Sequence, residues 1–158
     1  ALLTSEQLPS EAQISPQLAN RAINAHKRPY PTSQALKELI QCKPELTNWR
    51  AAGTDSSDGL IESIRGICQA SNCQAVLSKT SILKHPDWPE DDIWDEWILN
   101  GGEDYELILS LPKDWAKSLS NKLKSAKIIG FIKEGKPNIF WDNLEQTKID
   151  QSSLFRHF

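Results

Sequence analysis

The segment Asp55-Ser56-Ser57-Asp58-Gly59-Leu60 sets two carboxylates three positions apart with hydroxyls between them. These oxygens are hard donors, so the segment can hold a hard cation. The segment stands where a short strand runs into a helix. Exposed amides at the helix start, with the Ser57 hydroxyl, favour phosphate oxygens nearby. Carboxylates by themselves would repel a polyphosphate, so acids and phosphates fit together here only with a cation between them. The same residues also suit a plain structural role, with Asp58 or Ser57 capping the helix and Asp55 solvated. They do not follow the acid pattern of a calcium loop, and the chain has no Gly-x-x-x-x-Gly-Lys-Ser/Thr phosphate loop.

About 40 residues later comes Gly101-Gly102-Glu103-Asp104-Tyr105-Glu106-Leu107. The glycine pair ends a helix and delivers acids to the edge of a strand, where Glu103 can accept hydrogen bonds from a ligand. A helix cap followed by a polar strand start accounts for the same residues. Cys42, Cys68 and Cys73 have no histidine at zinc-finger spacing, so they read as reduced thiols packed as small apolar groups.

The elements that must position these acids follow from periodicity. Ser15 with Pro16 signals a helix start, and Leu18, Ala22, Ile23 and His26 recur at helical spacing. A second helix capped by Thr32 is expected to bury Ala35, Leu36, Leu39 and Ile40 as one stripe. A strand over 50–54 enters the aspartate motif, and a third helix follows with Leu60, Ile61, Ile64, Ile67 and Cys68 on one face. Residues 74–77 suit a strand. Residues 91–99 form an acidic amphipathic segment carrying Trp94 and Trp97, with Glu90, Asp91, Asp92, Asp95 and Glu96 as a solvated face. A strand over 104–111 and a helix over 113–125 come next, with Trp115, Leu119 and Leu123 inward and lysines outward. Strands over 127–132 and 138–141 are expected to close as a hairpin. This succession predicts an α/β (α+β) sandwich with a mixed, largely antiparallel sheet flanked by helices.

A chain of 158 residues holds one core, here over 16–158, with 1–15 read as a linker or helix end from a missing N-terminal domain. The net charge of −3 argues against a general nucleic-acid binder. No apolar run approaches the ~20 residues of a membrane-spanning helix. These features lead to the expectation of a soluble, cytoplasmic domain. With no methionine and an Ala-Leu-Leu-Thr start, the chain reads as a piece of something longer.

Taken in order, the aspartate motif and the Gly-Gly-Glu-Asp-Tyr-Glu-Leu run resemble the C-terminal domain of the thiamine-monophosphate kinase family. The ending Phe155-Arg156-His157-Phe158 and the stretch His26-Lys27-Arg28-Pro29-Tyr30-Pro31 extend the resemblance over most of the chain. The Gly-Glu-Asp-Tyr-Glu run is its specific element. The family is similar in architecture to aminoimidazole-ribonucleotide synthetase, whose C-terminal domain is an α/β sandwich.

The resemblance implies transfer of the γ-phosphoryl group of ATP to thiamine monophosphate, in a full-length homodimer with magnesium. Asp55 and Asp58 would be magnesium ligands and Ser57 would contact ATP. Glu103 would bind the thiamine end of the acceptor and Phe155 would pack on its ring. No side chain need form a covalent intermediate. The fragment by itself would be inactive. Leu154 replaces the family's usual glycine, and Thr32 stands where a basic residue is common; both put the roles of their neighbourhoods in question. Two rival readings are a related ATP-dependent synthetase and a non-catalytic interaction domain.

Overall fold

The computed structural model describes residues 15–28, 33–82, 92–143 and 147–149. Helix α1, Pro16–Lys27, begins as the Ser-Pro signal predicts: the Ser15 hydroxyl accepts from the Leu18 amide at 3.2 Å. Helix α2 spans Ser33–Gln41, and its expected cap, Thr32, lies outside the described residues. Strand β1, Ala52–Asp55, leads into α3, Leu60–Ser71, and then β2, Cys73–Leu77. Helix α4 spans Asp92–Asn100 and stops at the glycine pair. Strand β3 is Leu107–Ser110, α5 is Lys113–Lys122, β4 is Gly130–Glu134 and β5 is Asn138–Trp141.

The expected mixed α/β architecture holds, with the strands divided between two small sheets. In the first, β1 and β3 pair antiparallel with Asp55 opposite Leu107. In the second, β2 lies between β4 (antiparallel) and β5 (parallel). The expected hairpin of the last two strands is therefore wrong. Residues 135–137 carry the chain past the start of β2, which takes hydrogen bonds from both sides. Turn chemistry marks a reversal of direction, but it does not say which strand fills the space between the two arms.

The core forms where α3 lies on the second sheet. Ile61, Ile64 and Cys68 share one helix face and meet Cys73, Ala75 and Leu77 of β2 and Ile139 of β5. Cys68 is wholly buried, and burial, reinforced by Cys73 beside it, pushes its thiol up to about 11. It packs as an inert apolar group. A second knot ties α5 to α2: Trp115 is fully buried, donates from Nε1 to the Leu39 carbonyl at 2.8 Å, and tilts against Trp49.

The expected stripe on α2 divides. Ala35 and Leu39 are half-buried, whereas Leu36 and Ile40 are 48% and 60% exposed. Residues four apart share a line along the helix, and the neighbouring line points away from α5. The acidic face of α4 also divides: Glu96 is exposed, but Asp95 turns inward onto Lys79 at 2.9 Å. Trp97 is half-buried and the lysines of α5 face outward, as expected. The side chain of Trp94, and all of Glu90 and Asp91, lie outside the described residues. Among the described residues no helix is long and apolar enough to cross a membrane.

Candidate functional site

The two acidic segments, some 50 positions apart in sequence, are laced together backbone to backbone. Beyond the end of the β1–β3 ladder, the Ser56 amide donates to the Glu106 carbonyl at 3.0 Å. The Glu106 amide donates back to the buried Ser56 hydroxyl at 2.9 Å. The Glu103 amide then reaches the Ser57 carbonyl at 2.8 Å.

Two glycines make this approach possible. A side chain at Gly102 would drive its first carbon into the Ser57 carbonyl oxygen. Gly59 has φ 93° and would put its own 2.8 Å from the Asn100 carbonyl oxygen. The glycine in each motif thus seats the other motif against it.

Within the aspartate motif, Asp55 Oδ1 accepts from the Ser57 hydroxyl at 2.8 Å and from the Ser57 amide at 3.3 Å. These bonds fold residues 55–57 into a tight turn and aim the carboxylate. The Ser63 hydroxyl, on the first turn of α3, lies 2.7 Å from the Asp55 carbonyl and 2.8 Å from that of Gly59. Its single proton serves one of them at a time. Asp55 and Asp58 are exposed. The helix entrance itself is capped by Gly59 without a side-chain hydrogen bond, so neither Asp58 nor Ser57 is the cap.

In the second segment Glu103 and Tyr105 adopt φ 67° and 52°. Residues with a Cβ rarely occupy this left-handed region, and here the hydrogen bonds to Ser56 and Ser57 impose it. Those two residues also correct the strand expected over 104–111. Extended structure begins only at Leu107, because 102–106 wrap around the aspartate turn instead. Glu103 and Asp104 are exposed. Desolvation on its protein side, then the nearby Glu106 charge, raises the Asp104 carboxyl above its ordinary value. At the end of α1, His26 Nδ1 comes 3.6 Å from Glu103 Oε2.

The structure therefore brings Asp55, Ser57 and Asp58 beside Glu103, and adds Ser56, Ser63 and His26 around them. Ser63 had a sequence signal that went unused: a serine one turn into a helix can bond back to the carbonyl four residues earlier. Phe155 and the rest of the expected terminal motif lie outside the described residues. Among the described residues the site is an open edge, with Asp55, Asp58 and Glu103 exposed. A cleft of about 760 Å³ between α5, β3 and β4 is lined by none of Asp55, Ser57, Asp58 or Glu103.

No protein-family model matches the chain. Among curated proteins, a thiamine-monophosphate kinase of Prochlorococcus marinus is 42% identical over all 158 residues, which make up 47% of that protein. Another, from Synechococcus elongatus, is 36% identical over 94% of this chain and 45% of its own length. The chain is a homologue of the C-terminal part of thiamine-monophosphate kinases. It spans about half the length of these curated relatives.

Part of the fold of two solved structures is shared as well. The crystal structure of the Stenotrophomonas maltophilia K279a enzyme superposes with a TM-score of 0.51 at 28% identity, over 58% of this chain and 31% of that one. A second structure, AaThiL complexed with AMPPCP and TMP, gives 0.62 at 23% identity, over 86% of this chain and 42% of that one. The latter likeness is one of fold.

Proposed function

We propose that this chain is the C-terminal part of a magnesium-dependent kinase that moves the γ-phosphoryl group of ATP onto thiamine monophosphate, giving thiamine diphosphate. The observation that carries the reading is the 2.8 Å bond from the Glu103 amide to the Ser57 carbonyl. It puts the residue assigned to the acceptor directly beside those assigned to the nucleotide and metal. The match to kinases of this name along the whole chain supports it.

In this reading Asp55 and Asp58 would hold magnesium; among the described residues no three His, Cys, Asp or Glu side chains converge, so the protein would supply these two carboxylates alone. Magnesium commonly takes one or two carboxylates and fills its octahedron with water and phosphate oxygens. Bound there, it would neutralise the crowded phosphates of two anionic reactants.

Everything else is positioning. Asp55, aimed by Ser57, and Asp58 hold the metal side, and Ser57 contacts ATP. Glu103 accepts from the thiamine end, and Phe155 packs on its ring. The attacking phosphate oxygen is already ionised near neutral pH, so no side chain has to remove a proton. In this reading the rest of a longer, cytoplasmic, homodimeric protein supplies much of the ATP site.

The test is turnover by the full-length protein with ATP and thiamine monophosphate. Asp58→Asn is expected to reduce kcat on the order of a hundredfold while circular dichroism and the melting temperature stay unchanged. Turnover like the wild type would overturn the assignment. A panel of other phosphate acceptors separates this reaction from that of a related synthetase.

A further inference from the structure

The Cα of Glu103 is fixed far more firmly than its carboxylate. Its amide is bound to Ser57, its φ is 67°, and the preceding Gly102 lies so close to the Ser57 carbonyl that a Cβ there would strike it. The side chain beyond has three torsions and is 44% exposed, so the backbone alone does not aim it. Among the described residues, His26 reaches it from another element, with Nδ1 3.6 Å from Oε2. That separation is too long for a direct hydrogen bond and short enough for an ion pair or a contact that tightens on binding. His26 lies in the last turn of α1. The side chain is itself only 35% exposed, so its ring is partly held by packing.

From this geometry we propose that His26 is a positioning residue: it orients the Glu103 carboxylate toward the hydrogen-bond donor at the far end of the phosphate acceptor. The inference rests on the reading of Glu103 as an acceptor-binding residue. His26 touches neither reactant in this arrangement. Its effect belongs to acceptor affinity, not to phosphoryl transfer, and not to ATP.

Steady-state kinetics of the full-length protein, with thiamine monophosphate as acceptor, test this. His26→Ala is expected to raise the KM for the acceptor roughly two- to fivefold, the range of a partly exposed ion pair. The KM for ATP and kcat stay within experimental error. His26→Asn, which keeps a donor near the Nδ1 position, recovers part of the loss. In a Glu103→Ala background, His26→Ala adds nothing further.

The two ideas fail separately. If Glu103→Ala leaves the acceptor KM unchanged, the reading of Glu103 is wrong and this inference falls with it. If Glu103→Ala raises that KM while His26→Ala does not, Glu103 keeps its role and His26 loses the one proposed. Equal changes in both KM values, with a lower melting temperature for both His26→Ala and His26→Asn, would mark a structural contact and overturn the proposal.

Discussion

Gly102 has no room for a methyl group, because the atom it would strike is the Ser57 carbonyl oxygen, part of a backbone already committed to Glu103. A flexible side chain could swing aside; this neighbour cannot. Gly102→Ala is expected to cost about 2 kcal/mol or more, read as a lower urea midpoint, and to raise the acceptor KM of the full-length protein. Ser63→Ala acts more mildly. It removes the buried hydroxyl shared by the Asp55 and Gly59 carbonyls and should cost about 1 kcal/mol in the same denaturation experiment. Asp104 makes a pH-dependent prediction. Its raised carboxyl means that the folded chain holds that proton more tightly than the unfolded chain does. Its contribution to stability is complete below the unfolded value near 3.8 and is lost as pH rises through the raised value. Asp104→Asn, neutral throughout, should gain on the wild type across that window. Melting curves between about pH 3 and 7 measure this, and parallel curves would contradict it.

At the scale of elements, α2 depends on one knot. The described contacts fasten it to α5 through the Trp115 indole, which donates to the Leu39 carbonyl and leans on Trp49 at 5.2 Å between ring centres. Trp115→Phe retains most of the ring volume but leaves that carbonyl only the weak 3.6 Å contact from the Cys42 thiol, for an expected loss of about 1 kcal/mol. Trp115→Ala also leaves a cavity and should lose about 3–5 kcal/mol. Thermal melts followed by circular dichroism distinguish the two. The α3 layer is held differently, by apolar residues at helical spacing laid on alternate residues of β2. It would retain its packing in the Trp115→Phe protein.

For the whole molecule, the acidic edge is too open to hold a nucleotide by itself. Asp55 and Asp58 bring negative charge, the roughly 760 Å³ cleft is lined by Glu106 and Leu107 but by none of Asp55, Ser57, Asp58 or Glu103, and the chain covers 47% of the Prochlorococcus relative. Under the proposed function the missing contacts come from the remainder of a longer protein. The isolated chain is then expected to bind Mg-ATP only weakly, with a Kd on the order of 1 mM or above by calorimetry, worth about 4 kcal/mol or less. Micromolar binding would contradict the shared site. The exposed Leu36, Ile40, Leu46 and Trp49 are apolar surface that the described residues leave uncovered.

Much of this was legible in the residues alone. The Ser15-Pro16 start, the α3 stripe, the stop at Gly101 and the inward Trp115 are signals between near neighbours, and such signals survive without knowledge of the rest of the chain. The two acidic motifs, too, could be recognised by residue type and spacing. Tertiary structure decided what those signals leave open: that β2 separates β4 from β5, that half of the α2 stripe faces outward, and that residues 102–106 wrap rather than extend. It also decided that Glu103 meets Ser57 and His26. Each of these depends on which distant segment arrives alongside. Periodicity tells a residue which way to point along its own element, but only the close approach of two backbones determines what it points at.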